Sequence, residues 1–319
     1  MNKRNNWKRD FLGVTAWHKA GYMGFHGLTA SAEDYDSGTQ HARQTYDVFK
    51  EIAPSRRVVY IPFASNVAGF VAATHARGVD TVYVSKSGLP LSLMERNLLN
   101  DRLDPRTSVF VAAGNYGRDK ASLYMAPETV YGVGAAKLYA SEIYQGEAVE
   151  GSEKWLSVAD YTSISPLVDF AGVTDFYDST NHTFGGTSCA TPVIAGMAAL
   201  VNDFFIQHTG KPLKHVTMYR FLQDCAVDIG VKGKDDRSGW GVPILPHPKT
   251  IDIERWTDMD KYADDNLIND AHRADVYAAR ELGLMLGDDH GRFNPKDRLT
   301  REQAASVIVR LYKMLTDKR

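Results

Sequence analysis

The segment that most constrains the fold of this chain is Gly185-Gly186-Thr187-Ser188-Cys189-Ala190-Thr191-Pro192-Val193-Ile194-Ala195-Gly196. Two glycines precede a serine, and the small and apolar residues that follow predict a helix running to about Phe204. Pro192 falls in the first turn of that helix, where the N–H that proline lacks has no helical partner. The run of alanine and glycine makes a narrow helix, which can pack closely against a sheet.

The position of Ser188 at the start of this helix is open to two interpretations. A serine there faces free backbone N–H groups and the positive end of the helix dipole, and both stabilise a developing oxyanion. Serine is also a common N-cap, so a residue that only caps a buried helix fits the same local pattern. The local pattern alone does not decide between a nucleophile and a cap.

Upstream of this helix, apolar strands alternate with helices. We predict strands at residues 57–61, 81–84, 108–113 and 129–135, and helices at residues 66–75 and 92–103. This alternation predicts an α/β fold with a doubly wound, mostly parallel sheet that is covered on both faces. In such sheets the ligand crevice lies beyond the carboxyl ends of the strands, so the residues after Val84 and Ala113 are candidate site residues.

The string GTSCATPVIAG, residues 186–196, resembles the nucleophile motif of the subtilisin-like serine proteases, the subtilases. The resemblance extends over most of residues 15–245. It implies the subtilisin-like fold and hydrolysis of peptide bonds through an Asp–His–Ser triad and an acyl-enzyme, with Ser188 as the nucleophile. Residues 111–117, VAAGNYG, resemble the oxyanion segment of the family, so Asn115 is implied to donate its side-chain amide to the intermediate.

The family order of catalytic residues along the chain is Asp, then His, then Ser. Residues 21–34 resemble the strand that ends in the family's aspartate, and counting from Gly27 gives that role to Asp34. Glu33 and Asp36 lie close enough to be rivals. The resemblance therefore implies that one of these carboxylates orients the general base.

The general base implied by the resemblance is His41, because the family places its histidine at the start of a helix. His41 begins a stretch with helical spacing that leads into the predicted strand at 57–61. The glycine that usually follows the histidine is Ala42 here. The rival is His26, which has only Asp10 upstream as an orienting carboxylate.

The strand before the oxyanion segment pairs with the substrate backbone in the family. This implies a substrate-binding segment of Ser85, Lys86, Ser87 and Gly88, in which the glycine permits close approach of an extended peptide. We expect the Lys86 side chain to point to solvent. We expect no cofactor in the chemistry; a structural calcium ion is compatible with the sequence, but no ligands for one are identifiable in it.

Three prolines within residues 242–249 predict a linker, because proline lacks the donor that helices and sheet interiors need. We therefore divide the chain into a catalytic domain at residues 1–245 and a linker with a small helical module at residues 246–319. Thr300 and Gln303 form a predicted capping box, and apolar residues at helical spacing follow them.

Residues 256–310 resemble a single S-layer homology repeat, most closely in GLMLGDDHGRFNPKDRLTREQ at 283–303. Such repeats attach bacterial proteins to cell-wall polysaccharide and usually occur in threes. The resemblance implies cell-wall polysaccharide as a partner besides the peptide substrate, with trimerisation if a single copy is to anchor the protein. The alternative is a helical appendage that only packs on the catalytic domain.

The composition excludes few classes of protein, but it limits the kinds of binding partner to be expected. The formal net charge of −2 gives no electrostatic reason to expect nucleic acid or an anionic membrane as a partner. No stretch approaches the ~18 apolar residues of a membrane span. The basic N-terminus lacks the apolar region of a signal peptide, which favours a cytoplasmic or phage-borne protein, whereas the C-terminal resemblance favours the cell surface. Cys189 and Cys225 are expected to be buried thiols.

Two other functions fit the same sequence. Only six residues separate Asp34 from His41, and Ala42 replaces a glycine, so a subtilase fold that binds peptides without cleaving them is one alternative. A structural wall protein, whose main function lies in the C-terminal module, is the other.

Few residues precede the region 15–245 that resembles the subtilases. We therefore expect no inhibitory pro-domain of the kind that large secreted subtilases carry.

Overall fold

The computed structural model describes residues 1–63, 66–86, 91–117, 123–125, 129–139, 147–148, 155–258, 261–281, 284–288 and 291–316. The chain forms two compact units, Met1–Ile251 and Asp252–Arg319. All of the predicted catalytic residues belong to the first unit.

An eight-stranded sheet forms the centre of the first unit. Its strands are β1 Leu28–Ser31, β2 Arg57–Tyr60, β3 Thr81–Val84, β4 Ser108–Ala112, β5 Val130–Tyr139, β6 Glu147–Ala148, β7 Trp155–Val158 and β8 Val168–Val173. They lie in the order β2-β1-β3-β4-β5-β7-β6, and β8 also pairs with β5. Strands β1 to β5 and β8 are parallel, whereas β6 and β7 complete an antiparallel edge. Two short antiparallel pairs follow: β9 Phe176–Tyr177 with β10 Thr183–Phe184, and β11 Ala226–Val227 with β12 Val242–Pro243.

Helices cover both faces of this sheet. They are α1 Asn6–Phe11, α2 Val14–Lys19, α3 Gln40–Ile52, α4 Val67–Arg77, α5 Leu93–Arg102, α6 Thr187–Thr209 and α7 His215–Asp224, with 3₁₀ turns at Lys3–Asn5, Leu123–Met125 and Pro248–Thr250. On β3, Val82 and Val84 join the apolar core with α4 and α5, whereas the Tyr83 ring stacks on Phe49 of α3. The predicted doubly wound α/β fold is confirmed, and each predicted strand and helix begins within one residue of the observed element.

Helix α6 packs against α3 and the sheet at two positions that only glycine can occupy. A Cβ on Gly172 of β8 would lie 2.3 Å from the Ala190 carbonyl oxygen, and a Cβ on Gly196 would lie 2.6 Å from the Cβ of Ile52. The helix is 23 residues long and apolar enough for a membrane span, but 94% of that apolar window is buried. Within the described part of the chain, no other helix is long and apolar enough to span a membrane. The burial of α6 is typical of an apolar helix in a protein core.

The proline-rich stretch differs from its prediction as a linker, because it packs on the first unit. Val242–Pro243 forms a strand, and the indole Nε1 of buried Trp17 donates a 2.7 Å hydrogen bond to the Pro246 carbonyl oxygen. Pro248 is buried as well and opens a 3₁₀ turn. Prolines limit only the backbone donors, so they do not prevent burial where the carbonyls find partners. The boundary therefore lies after Ile251 rather than after Leu245.

The second unit contains α8 Ile253–Asp258, a 3₁₀ turn at Asp265–Leu267, α9 Asp270–Glu281 and α10 Arg301–Thr316. Its small core centres on Tyr262, whose hydroxyl donates to the Met285 carbonyl at 2.6 Å. The predicted capping box is confirmed: the Gln303 N–H donates to Thr300 Oγ1 at 3.2 Å and the Thr300 N–H donates to Gln303 Oε1 at 2.9 Å. These two reciprocal hydrogen bonds fix the start of α10 at the position that the Thr300–Gln303 sequence pattern predicts.

We predict that a chain ending at Ile251 unfolds at the temperature of the first unit in the full-length protein, whereas a chain ending at Leu245 unfolds lower. The shorter chain leaves the Trp17 indole N–H buried without its acceptor, which costs about 1–3 kcal/mol. At this size that corresponds to a melting temperature lower by about 2–12 °C. Calorimetry on both truncations measures this, and equal melting temperatures would show that 246–251 is a linker after all.

Candidate active site

Ser188 lies in the first turn of α6, half-buried, where the sequence places it. Gly186 precedes the helix with φ 85°, a backbone conformation that favours glycine. The Ser188 Oγ donates a 2.9 Å hydrogen bond to the carbonyl oxygen of Ser85, the residue after β3. The predicted nucleophile therefore contacts the predicted substrate-binding segment directly.

Asn115 follows β4 and has its amide orientation fixed by Thr187. Its Oδ1 accepts hydrogen bonds from the Thr187 N–H at 2.9 Å and the Thr187 hydroxyl at 3.0 Å. The Asn115 side chain is exposed, and its Nδ2 lies beside Gly186. Among the described contacts, this Nδ2 has no hydrogen-bond partner. Because the oxygen is held at the start of α6, the amide N–H groups are left available to an anion there.

His41 lies near the start of α3 with its ring half-buried. Its Nδ1 is 3.0 Å from Glu33 Oε1, and the ring edge packs on Phe184 of β10 at a centroid distance of 5.6 Å. The side chain is 38% exposed, whereas that of Glu33 is 3% exposed. A carboxylate on Nδ1 fixes the ring and leaves Nε2 as the nitrogen that can exchange a proton.

The carboxylate that reaches His41 belongs to Glu33, the rival, and not to Asp34. Ser31, at the end of β1, and Glu33, two residues beyond it, are both buried. The Ser31 hydroxyl donates to the Glu33 carbonyl at 2.7 Å and fixes this turn. The Asp34 carboxylate accepts the Asp36 N–H at 3.0 Å, as in a local turn. Of the neighbouring carboxylates, Glu33 is therefore the one positioned to orient the imidazole, in place of Asp34.

Glu33 also contacts the side chain of Lys86. Lys86 Nζ lies 3.1 Å from Glu33 Oε1, so the side chain expected to point to solvent forms an ion pair while remaining 60% exposed. Burial by itself raises the pKa of Glu33, but the hydrogen bonds and charges of His41 and Lys86 outweigh it and hold the pKa below its ordinary value. The Oε2 atom of the same carboxylate is buried and has no hydrogen-bond partner among the residues that the structure describes.

The rival histidine, His26, lies at the other end of α6. Its Nδ1 is 2.7 Å from Asp203 Oδ1. Asp203 follows Ser188 by fifteen residues on the same helix, which separates them by about 22 Å at 1.5 Å per residue. A base must lie within hydrogen-bonding reach of the nucleophile, so His26 cannot serve Ser188.

The candidate residues share one edge of the sheet. Strands β1, β3 and β4 are parallel neighbours, and Glu33, Ser85 and Asn115 each lie just beyond the carboxyl end of one of them. Of the predicted substrate-binding residues, Ser85 is buried and Lys86 is exposed, while Ser87 and Gly88 lie outside the described residues. The crevice predicted from strand alternation is thus the place where these groups meet.

The candidate site contains no evident metal ligands. Within the described ranges, no group of three or more His, Cys, Asp or Glu side chains could hold a metal ion. Both cysteines are free thiols, as predicted, but only Cys189 is fully buried, whereas Cys225 is partly exposed. Burial raises the pKa of Cys189 to about 11. A thiol buried in this way is not ionised at neutral pH, so Cys189 is a packing residue beside Ser188.

Comparison with known proteins identifies the class. The subtilase family model matches residues 83–241 and the S-layer homology domain model matches residues 270–305. The chain therefore belongs to the subtilase family, which supports a serine peptidase role, and carries an S-layer homology domain. No curated protein matches the sequence.

Several solved proteases have folds similar to that of this chain. A lanthipeptide protease superposes with a TM-score of 0.57 at 16% identity, covering 74% of this chain and 92% of that one. The prenylagaramide maturation protease PagA gives 0.54 at 16% identity with 72% and 95% covered, and Sphericase gives 0.54 at 17% identity with 70% and 93% covered. At these identities the similarity establishes the fold.

Proposed function

We propose that the unit Met1–Ile251 is a serine endopeptidase with a Glu–His–Ser triad formed by Glu33, His41 and Ser188. The observation that carries the proposal is the 3.0 Å contact between His41 Nδ1 and Glu33 Oε1, at the sheet edge where Ser188 opens α6. An imidazole held in this way has its other nitrogen available as a base, which is the arrangement that activates a serine hydroxyl.

In acylation, His41 takes the proton from the Ser188 hydroxyl as the oxygen attacks the peptide carbonyl. The hydroxyl first leaves the Ser85 carbonyl oxygen that it contacts in the resting state. The buried Glu33 carboxylate stabilises the imidazolium that forms, and the imidazolium then protonates the leaving amine. Water attacks the acyl-enzyme in the second half of the reaction, with His41 again as the base.

The oxyanion of each tetrahedral intermediate is proposed to bind Asn115 Nδ2 and the Ser188 backbone N–H. The two bonds from Thr187 to Asn115 Oδ1 hold the amide with its N–H groups toward the helix N-terminus. The Ser188 N–H belongs to the first turn of α6, where backbone donors lack intrahelical partners. Donors that are fixed before the reaction stabilise the charge without reorganisation.

The proposed substrate is an extended peptide that adds to the segment following β3. Ser85, Lys86, Ser87 and Gly88 are the proposed binding residues, of which the first supplies a carbonyl beside the nucleophile. Strand addition uses main-chain hydrogen bonds, so it accepts many sequences and suits an endopeptidase. The proposed chemistry uses no cofactor.

The second candidate is a subtilase fold that binds peptides without cleaving them. It is favoured by the Ser188 hydroxyl, which donates to Ser85 rather than to His41. A fluorophosphonate, which reacts only with an activated serine, separates the two: modification of Ser188 supports the peptidase, and inertness supports the binding protein.

We predict that Ser188→Ala lowers kcat on casein by about 10⁶-fold, the magnitude of triad removal in subtilisin. His41→Ala should be about as damaging, and the double variant little worse, because triad members act as one unit. His26→Ala is the matched control and should keep most activity, since its partner Asp203 lies far from Ser188. Wild-type turnover in Ser188→Ala would refute the assignment.

We predict that Glu33→Gln lowers kcat by roughly 10³–10⁴-fold, because the neutral amide neither stabilises the imidazolium nor enforces its tautomer. Asp34→Asn, a neighbouring charge-removing control, should change kcat less than threefold, since its carboxylate accepts only a local turn N–H among the described contacts. Steady-state kinetics on one peptide substrate measures both. The reverse ranking would return the orienting role to Asp34.

We also propose that the second unit binds cell-wall polysaccharide, as its S-layer homology match suggests. Full-length protein should sediment with purified Gram-positive cell wall, and a chain ending at Ile251 should not. Arg301→Gln should weaken sedimentation more than Arg301→Lys, because the exposed guanidinium at the start of α10 suits acidic sugar groups. Equal sedimentation of the full-length and truncated chains would leave the module as a packing element.

A further inference from the structure

An imidazole and an ammonium group share one oxygen of the buried Glu33 carboxylate. His41 Nδ1 lies 3.0 Å from Glu33 Oε1, and Lys86 Nζ lies 3.1 Å from the same atom. We infer that Lys86 is a positioning residue that acts through Glu33 and extends the activity of the His41 base to lower pH. This inference rests on the proposed function, in which Glu33 orients His41.

Lys86 affects His41 because both side chains interact with the same Glu33 carboxylate. A carboxylate that serves only the imidazole favours the imidazolium and so keeps the base protonated up to a higher pH. An ammonium on the same oxygen offsets part of that charge and repels the imidazolium. Since the Lys86 side chain is 60% exposed, solvent screens this repulsion, and the effect is moderate.

Two tyrosines near Glu33, Tyr83 and Tyr35, stay neutral between pH 5 and 8. Tyr83 of β3 is buried, and burial raises its pKa above the ordinary value. Tyr35 follows Glu33 in the turn, and burial together with Asp36 and Asp34 raises its pKa as well. The element packed on the other side of the His41 ring contributes Phe184, which carries no charge. Among the described residues, Lys86 is therefore the cation that sets the balance between Glu33 and His41.

The position of Lys86 is fixed by its neighbour. Ser85 is 2% exposed, and its carbonyl accepts the Ser188 hydroxyl at 2.9 Å. Two consecutive residues thus contact the two ends of the proposed triad, Ser85 at the nucleophile and Lys86 at the orienting carboxylate. Because the backbone at Ser85 is held by burial, the lysine stem starts from a fixed point beside Glu33.

We expect Lys86→Met to move the acid limb of the kcat/KM profile to higher pH by about 0.5–1 pH unit. Methionine keeps the unbranched stem and removes the charge, so the imidazolium is stabilised by an unshared carboxylate. Glu33 also holds its proton to a higher pH without the ammonium, which moves the limb in the same direction. Lys86→Arg keeps the charge and should leave the acid limb at its wild-type pH, whatever it does to the height of the profile.

Lys232→Met, at an exposed lysine of the same unit, is the matched control for loss of one positive charge and should leave the profile unchanged. If the Lys86→Met profile coincides with that of Lys232→Met, or if its acid limb moves to lower pH, the inference is overturned. A loss of kcat at every pH with an unmoved limb would also overturn it, because it would indicate damage to the fold.

A second measurement does not depend on activity. In a Ser188→Ala background, the titration midpoint of the His41 ring protons, followed by NMR, should rise when Lys86 becomes methionine. An unchanged midpoint overturns the inference. If wild-type protein fails to react with a fluorophosphonate at any pH, the proposed peptidase function fails, and this titration still decides the role of Lys86.

Discussion

The close packing of α6 is the constraint on which the site depends. Gly172 of β8 lies against Ala190 of α6, and Gly196 of α6 lies against Ile52 of α3, at distances that any side chain on the glycines would prevent. From that contact, Ser188 lies eight residues back along α6, about 12 Å, and His41 lies eleven residues back along α3, about 17 Å. One packing contact thus sets both helix N-termini relative to the same sheet edge.

The buried carboxylate carries the main electrostatic cost of this arrangement. Removing a carboxylate from water is unfavourable unless it is paired and hydrogen-bonded. Glu33 meets this cost through contacts with His41 and Lys86 on one oxygen, while its other oxygen has no partner in the described part of the chain. A buried acceptor without a hydrogen bond destabilises the folded state unless another interaction compensates. For Glu33, that interaction is the attraction between its charge and the imidazolium that forms on His41 in the proposed reaction. The same feature that weakens the fold locally suits the proposed chemistry.

The sequence predicted well those features that depend on backbone geometry. Strand and helix alternation predicted the sheet, and the string around Ser188 predicted the helix start, because hydrophobic periodicity and glycine positions are local signals. It assigned the orienting carboxylate to Asp34, whereas the structure directs the buried Glu33 carboxylate to His41, in a turn where the Ser31 hydroxyl donates to the Glu33 carbonyl. That direction is set by a tertiary environment which residue counting does not contain.

The proline-rich stretch shows the same limit for domain boundaries. Prolines at 243, 246 and 248 indicate a segment without regular structure, but whether such a segment is free depends on its partners. The partner is Trp17, 229 residues earlier in the chain, whose indole N–H needs an acceptor once the ring is buried. Local patterns do not contain pairings of this range.

The family model begins at residue 83, after the elements that carry Glu33 and His41, and includes Asn115 and Ser188. The two halves of the proposed site are constrained in different ways. Around the nucleophile the constraints are steric: a Cβ on Gly114 would lie 2.9 Å from Ser163 Oγ, and the backbone there has a positive φ, so few sequences satisfy it. Around the base the constraint is a distance between a carboxylate and an imidazole, which glutamate or aspartate can satisfy from different positions in the chain. A site can therefore keep a recognisable nucleophile sequence while its carboxylate changes in residue type and position.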